Sequence, residues 1–280
     1  MPDPSAMPKL VQMHDRMADP PTPHALLGPG DPPAVRLTNG DSREPALLVA
    51  DHAGLAIPAR LGRLGLDQAE LARHIACDIG VAEVGAHLAA ALDLALVESG
   101  YSRLIIDCNR PPDDHTSIRE IADGTVIPGN RNLSATDRHA RRRLVFDPYH
   151  AAIAERLDAI QSRGLRPALV SLHSFTPIMR GVERPWHVGV LSGADRRMAD
   201  PIIAALRQGT DWVVGDNQPY SGLDPYGWTI ESHALPQGRP NVLLEIRQDL
   251  IATPVGAAET ASRLTPFLRT VLARQALQTG

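Results

Sequence analysis

Short apolar runs that alternate with helical segments constrain the fold of this chain more than any other feature of its sequence. Runs of strand length lie at 46–50, 94–98, 103–107, 168–172, 186–191, 212–214 and 241–246. Helical spacing of apolar residues appears near 67–91, 134–162, 194–207 and 255–276. Strands that alternate with helices form a mostly parallel sheet with helices on both faces. We therefore predict an α/β fold, with the second helix interrupted at Pro148 because proline tends to begin a new helix.

The N-terminal part of the chain has a different composition. Residues 1–44 are rich in proline and show no sustained periodicity. We predict that they form an arm, partly disordered, that lies over the domain. A chain of 280 residues can bury a sizeable core, so residues 45–280 are predicted to form one folded domain.

Composition excludes several classes of protein. A net charge of −4 gives no electrostatic basis for binding nucleic acid. No stretch approaches the roughly 20 apolar residues of a membrane helix, and no basic segment followed by an apolar run suggests a signal peptide. The two cysteines, Cys77 and Cys108, are too few for a disulfide framework. We expect a cytoplasmic protein that does not bind membranes, and the sequence leaves its oligomeric state open.

Two histidines follow predicted strands directly. His52 lies in Asp51-His52-Ala53-Gly54, and His173 lies in Leu172-His173-Ser174-Phe175-Thr176-Pro177. The carboxyl ends of parallel strands meet at one edge of a sheet, where open α/β folds hold their sites. A lone histidine is more often a structural residue than a ligand, but two at matched strand ends favour a metal site.

A catalytic zinc site needs a third protein ligand and an open position for water. Asp78 is the first candidate because it lies on the predicted 67–91 helix among apolar neighbours, although it could also be a surface carboxylate. His74 precedes it by four residues and would share its helical face. Asp51 could be a ligand or could orient His52.

Two further segments carry charged residues beside apolar runs. Asn109 and Arg110 follow the run between Arg103 and Asp107, and the planar guanidinium of arginine suits a substrate carboxylate. Arg103 and Asp107 could also form a structural pair.

Glu245 lies within the apolar run 241–246, where a carboxylate is costly unless it is paired or functional. Such a glutamate could act as a general base, or it could form a buried bridge to Arg247.

Four weaker candidates lie in other parts of the chain. Tyr220, in a turn-forming loop, could bond substrate or pack on the surface, and Arg180 could meet a substrate anion. His150 and His233 are interpreted as structural residues.

Together, these segments resemble the N-formylglutamate amidohydrolase family over residues 46–270. The resemblance rests on Asp51-His52-Ala53-Gly54, on Ser102-Arg103 through Asp107-Cys108-Asn109-Arg110, on the segment around His173, and on Glu245-Ile246-Arg247-Gln248-Asp249-Leu250. That family is related to the zinc carboxypeptidases and to aspartoacylase and succinylglutamate desuccinylase. The resemblance implies a zinc-carboxypeptidase-like fold with a mixed central sheet, one catalytic zinc ion and a role in histidine degradation.

The resemblance also implies roles for particular residues. His52 and His173 match the two histidine ligands, but Leu55 stands where the related His-x-x-Glu motif has its glutamate. The third ligand therefore stays open among Asp78, His74 and Asp51. The Asn109-Arg110 pair matches the pair that holds a substrate carboxylate, and Glu245 matches the general acid/base.

We predict zinc-dependent hydrolysis of the amide bond of an N-acylated acidic amino acid such as N-formylglutamate, a small-molecule substrate, by metal-activated water. The predicted ligands of the single Zn²⁺ are His52, Asp78 and His173, and the predicted catalytic residues are Glu245 and Arg110. The predicted substrate-binding residues are Asn109, Arg110, Arg103, Arg180 and Tyr220. A zinc carboxypeptidase or peptidoglycan amidase is the alternative, and residues 111–132 would line or block the longer groove that it needs. A non-catalytic binding protein on the same fold is a third possibility.

Overall fold

One central sheet with helices on both faces forms the described part of the chain. The computed structural model describes residues 26–223 and 227–277. Its strands are β1 (Val35–Thr38), β2 (Ala46–Ala50), β3 (Ala95–Ser99), β4 (Ile121–Ala122), β5 (Thr125–Val126), β6 (Ala168–Phe175), β7 (Ile178–Met179), β8 (Val182–Glu183), β9 (Val188–Leu191), β10 (Val214–Asp216) and β11 (Asn241–Arg247). Its α-helices are α1 (Gln68–Leu71), α2 (Val81–Leu92), α3 (Ala135–Arg141), α4 (Asp147–Gln161), α5 (Ala199–Gly209), α6 (Trp228–His233) and α7 (Pro254–Leu277).

The central sheet is mixed, as predicted. Seven strands pair in the order β1-β3-β2-β6-β11-β9-β10. The four central strands β3, β2, β6 and β11 are parallel to one another. Strands β1 and β9 run antiparallel to β3 and β11. The prediction of a single-domain α/β fold with helices around a mixed sheet is confirmed. The strand pairs β4–β5 and β7–β8 form two small hairpins outside this sheet.

The hydrophobic core lies on both faces of the sheet. Along β2, Leu48 belongs to one buried cluster, and Leu47 and Val49 belong to the other. Helices α2, α5 and α7 supply side chains to the first cluster, and α4 and α6 supply side chains to the second. Because both faces of β2 are covered, its sequence is a continuous apolar run.

The predicted strand over 103–107 is wrong, because the chain turns there. The Ile105 N–H donates to the Ser102 carbonyl oxygen at 2.9 Å, and the Leu104 N–H donates to the Ser102 hydroxyl at 3.2 Å. Leu104, Ile105 and Ile106 are nevertheless buried in the same cluster as Leu47. Burial without regular backbone pairing produces the same apolar run as a strand does.

The single helix predicted over 67–91 is also wrong, since α1 and α2 are separate. Gly80 has a φ of 78°, and a Cβ atom there would overlap the carbonyl oxygen of Ile251. This close approach lets the chain turn before α2 begins. Asp78 therefore lies in a turn and not on a helix.

The predicted interruption near Pro148 takes the form of a π-helical turn. It spans Arg142–Phe146 and joins α3 to α4, which has Pro148 in its first turn. Proline has no N–H for a bond to the residue four positions earlier, so α-helical bonding is disturbed there.

Part of the predicted N-terminal arm lies outside the described residues, namely residues 1–25. Within 26–44, strand β1 pairs with β3 at the edge of the sheet. The division of the chain at residue 44 stays a prediction. In the described ranges, every helix is too short or too polar to cross a membrane.

Candidate active site

All the predicted site residues lie around one cavity of about 580 Å³. It opens where β2, β6 and β11 end, because these neighbouring strands are parallel and their carboxyl ends meet. The predicted residues that line it are His52, Asp78, Arg103, Asn109, Arg110, His173, Arg180, Tyr220 and Glu245.

Three buried side chains form a possible metal site. One donor atom from each of His52, Asp78 and His173 lies within 4.8 Å of the other two. The Nδ1 atom of His173 is 2.8 Å from Oδ2 of Asp78, and Nδ1 of His52 is 3.4 Å from the same oxygen. Two imidazole nitrogens and one carboxylate oxygen suit a catalytic zinc ion, which takes three protein ligands.

Backbone hydrogen bonds hold the Asp78 turn between the two histidine segments. The Asp78 N–H donates to the carbonyl oxygen of His52 at 2.9 Å. The Ser174 N–H donates to Oδ2 of Asp78 at 3.3 Å. His74, the other candidate from the predicted 67–91 helix, lies 3.6 Å from Asp123 instead and is not part of the group of three.

A second carboxylate lies behind each histidine. His52 Nε2 is 2.6 Å from Oδ1 of Asp107, and His173 Nε2 is 3.0 Å from Oδ2 of Asp51. In metal sites such a carboxylate keeps the proton on the outer nitrogen and leaves the inner nitrogen free to bind the metal. Asp51, which the sequence suggested as a partner of His52, contacts His173 instead.

The carboxylates behind the histidines have partners of their own. Arg103 donates to Oδ2 of Asp107 at 2.6 Å, which confirms the predicted pair, and lies 3.3 Å from Oδ1 of Asp78. The hydroxyl of Thr229 donates to Oδ1 of Asp51. Sequence reasoning missed Thr229 and the contact between Asp107 and His52. Thr229 reaches Asp51 because of the way α6 packs, and no motif in the sequence around Thr229 indicates this contact.

Burial and charge act in opposite directions on these groups. Burial alone would raise the pKa of Asp78, but the charge of His52 and a hydrogen bond from His173 lower it. Burial alone would lower the pKa of His173, but hydrogen bonds to Asp51 and Asp78 raise it well above its usual value. The site without metal therefore pairs protonated imidazole with ionised carboxylates, and a bound cation would displace protons.

Glu245 lies beside this group in the centre of the sheet. It is in register with His173 on the neighbouring strand, and it is 7% exposed. Burial raises its pKa to about 7, against the opposing charge of His173. Its Oε2 atom is buried without a hydrogen-bond partner in the described ranges. The alternative of a bridge to Arg247 is wrong, since Arg247 pairs with Asp249.

A glycine on β9 brings a loop close to Glu245. Gly189 pairs with Glu245 across the two strands. A Cβ atom at Gly189 would overlap the carbonyl oxygen of Gln218 and lie 3.3 Å from the Cβ of Glu245. Its absence lets the loop that carries Tyr220 reach the cavity.

The cavity also presents several arginines. Arg110 is half-buried, and Arg180 is exposed with a φ of 51°. Arg119 and Arg184, which sequence reasoning missed, line the same cavity, and Arg184 donates to the Tyr220 hydroxyl at 3.2 Å. Within 26–223 and 227–277, none of these four arginines forms an ion pair with a carboxylate, so their charge is available to an anion.

Asn109 is fixed by the backbone of α6. Its Oδ1 accepts a hydrogen bond from the Thr229 N–H at 3.1 Å, and its Nδ2 lies 3.5 Å from Nε2 of His173. The amide therefore lies at the junction between the metal group and Arg110.

Comparisons with known proteins identify the family and the fold of the chain. The sequence model of the N-formylglutamate amidohydrolase family matches residues 44–252. The crystal structure of a gene product from Agrobacterium tumefaciens is 34% identical, with a TM-score of 0.85 over 89% of this chain and 98% of that one. An N-formylglutamate amidohydrolase from Ralstonia eutropha has the same fold, with 18% identity and a TM-score of 0.60 over 88% of this chain and 99% of that one. No curated protein matches the chain significantly.

Proposed function

Because the chain belongs to the N-formylglutamate amidohydrolase family, we propose that it hydrolyses the amide bond of an N-acylated acidic amino acid such as N-formylglutamate. Membership of the family supports amide hydrolysis. The dependence on zinc, the substrate and the roles of individual residues are part of the proposal. One observation carries it: two histidines and Asp78 turn their donor atoms towards one another while Asp107 and Asp51 hold the outer nitrogens.

We assign the metal to His52, Asp78 and His173. These donors fit zinc because both imidazoles are buried and because Asp107 and Asp51, at their Nε2 atoms, fix their tautomers. When bound there, zinc would act as a Lewis acid that activates water and polarises the scissile carbonyl. Asp78 would thereby replace the carboxylate that the related motif has at the position of Leu55, which is 58% exposed here.

Glu245 is the proposed general base and acid. A carboxyl group with its pKa raised to about 7 is close to the pH at which proton transfer in both directions is efficient. Its free Oε2 can accept the proton of the attacking water and return it to the departing nitrogen. Within the described residues, no cation forms an ion pair with it, and Arg247 is engaged with Asp249.

Arg110 is the proposed anchor of a substrate carboxylate. It has no ion pair in the described ranges, and both it and the preceding Asn109 line the cavity. Arg180 and Tyr220 are proposed to contact the rest of the substrate. Arg103 is also retained as a proposed substrate contact, although its guanidinium already binds Asp107 and lies near Asp78.

The cavity wall favours a small substrate over a peptide. Arg119, Ala122 and Asp123, all within the 111–132 segment, line the cavity. A peptide-cleaving enzyme would need an open groove in this direction. A cytoplasmic location and a role in histidine degradation stay predictions.

The test is metal analysis combined with a substrate screen. We expect the purified protein to bind about one zinc per chain and to release amine from formyl-, acetyl- or succinyl-glutamate or -aspartate. His173→Ala should lose both zinc and activity, whereas His115→Ala should keep both, since the His115 side chain is 92% exposed. Full zinc content in His173→Ala, or no hydrolysis of any of these substrates by the zinc-loaded wild type, would contradict the proposal.

A further inference from the structure

Two histidines outside the cavity form a hydrogen-bonded pair behind it. His150, on α4, is buried, and its Nδ1 lies 2.8 Å from Nε2 of His233 at the end of α6. The Nε2 of His150 lies 2.9 Å from the carbonyl oxygen of Cys108. Neither histidine lines the active-site cavity.

The chemistry of these contacts fixes both tautomers. A carbonyl oxygen only accepts, so Nε2 of His150 carries a hydrogen and donates it to Cys108. The Nδ1 of neutral His150 then accepts, and Nε2 of His233 must be the donor. Burial lowers the pKa of His150, and burial together with the closeness of the His150 imidazole lowers the pKa of His233 to about 4. Both rings are thus neutral near pH 7.

The first turn of α6, at the opposite end of the helix from His233, binds Asn109, the residue after Cys108. The Trp228 N–H donates to the carbonyl oxygen of Asn109 at 3.2 Å, and the Thr229 N–H donates to its side-chain Oδ1 at 3.1 Å. Helix α6 is therefore bonded to residues 108–109 at its first turn directly and at its last turn through His233 and His150. Arg110 follows immediately and has no ion pair in the described ranges, so its position depends on the backbone before it.

We propose that His150 and His233 are positioning residues that hold the segment 108–110, and with it the carboxylate anchor Arg110, in the cavity. The assignment of Arg110 as the anchor rests on the proposed function. The pair touches neither the substrate nor the metal ligands. It acts through the hydrogen bond from His150 to the Cys108 carbonyl oxygen and by fixing the position of α6, which ends at His233.

Matched amide substitutions separate this role from general packing. A glutamine amide nitrogen reaches about where Nε2 of histidine lies, and an asparagine amide nitrogen reaches only about where Nδ1 lies. His150→Asn should therefore lose the bond to Cys108, and His150→Gln should keep it. We expect KM for the N-acyl amino acid to rise about tenfold in His150→Asn with kcat within about twofold. It should recover in part in His150→Gln, which keeps the bond to Cys108 but has no acceptor for His233.

The same comparison of glutamine with asparagine at His233 gives a second test, which still applies if a variant at His150 fails to fold. His233→Gln keeps a donor towards His150, and His233→Asn does not reach it. We expect the asparagine variant to raise KM and the glutamine variant to leave it near the wild-type value, with zinc content unchanged in both.

A readout that does not need activity makes failure of this inference distinguishable from failure of the proposed function. Hydrogen–deuterium exchange at residues 107–110 should be faster in both asparagine variants than in their glutamine partners. Nitrogen chemical shifts of the two imidazoles should show hydrogen on Nε2 in each. If the wild type hydrolyses no N-acyl amino acid, the proposed function fails. The comparison of hydrogen–deuterium exchange between the asparagine and glutamine variants then still tests whether the two histidines position residues 108–110. Equal exchange in the two kinds of variant, or hydrogen on Nδ1 of His150, overturns the inference.

Discussion

Replacing Asp107 by asparagine tests the carboxylate behind His52. Its Oδ1 lies 2.6 Å from His52 Nε2, and its Oδ2 accepts from Arg103 at 2.6 Å. Oδ1 also accepts from the Asn109 N–H at 2.9 Å. All of these partners donate, whereas an amide has only one accepting oxygen, so Asp107→Asn must lose the bonds at one of the two positions. If the amide nitrogen faces His52, the ring hydrogen moves to Nδ1, where it blocks metal binding.

The expected loss follows from the bond that is removed. A hydrogen bond to a charged group contributes about 1.5–3 kcal/mol, so zinc affinity should fall about ten- to hundredfold. Competition with a chromogenic chelator at constant pH measures the zinc dissociation constant. Asp113→Asn is the matched control, because the Asp113 side chain is 93% exposed. A dissociation constant for Asp107→Asn within about twofold of the wild-type value would refute the reasoning.

Four further predictions concern Glu245, Arg110 and His173. Glu245→Gln should keep its zinc but lose at least about 100-fold in kcat, and undiminished hydrolysis would remove the assigned role. In the metal-free protein, the pKa of Glu245 is 4.5 in the unfolded chain and about 7 in the folded one, so ionisation of this carboxyl group opposes folding. Glu245→Gln should therefore raise the free energy of unfolding by about 3 kcal/mol above pH 7 and by almost nothing below pH 4.5. Urea denaturation at both pH values measures this difference, and an equal gain at both would contradict it. Arg110→Ala should raise KM about ten- to hundredfold for a substrate with a free carboxylate and leave KM for its amide unchanged, which steady-state kinetics with both substrates would show. Since hydrogen bonds raise the pKa of His173 against its burial, zinc binding at pH 7 should release protons and tighten as pH rises; a calorimetric enthalpy that is the same in buffers of different ionisation enthalpy would count against it.

Much of the site could be predicted because it follows buried strands. His52, His173 and Glu245 are polar residues at or near the ends of apolar runs, and neighbouring parallel strands bring such positions together. The central strands themselves could be predicted because both of their faces are covered. Strand β1 was not predicted, since only two of its four residues, Val35 and Thr38, are even partly buried.

The remaining features depend on contacts between distant parts of the chain. Asp78 reaches the histidines because the backbone turns at Gly80 against the carbonyl of Ile251, far away in sequence. The run from Leu104 to Ile106 is as apolar as a strand, yet it turns so that Asp107 can meet His52. Periodicity describes burial along an element, and it carries no information about such close approaches.

Gly189 limits how the activity can diverge within the family. The strand that carries it separates the loop of Tyr220 from the strand of Glu245, and only a hydrogen fits in the space between them. Natural variants can therefore change the side chains at the tip of the loop without disturbing Glu245, the proposed general base. An alanine at position 189 would displace the loop and Glu245 together. New substrate preferences in this lineage should consequently accumulate at Tyr220 and its neighbours, whereas a side chain at position 189 should lower activity, because it would displace the carbonyl of Gln218.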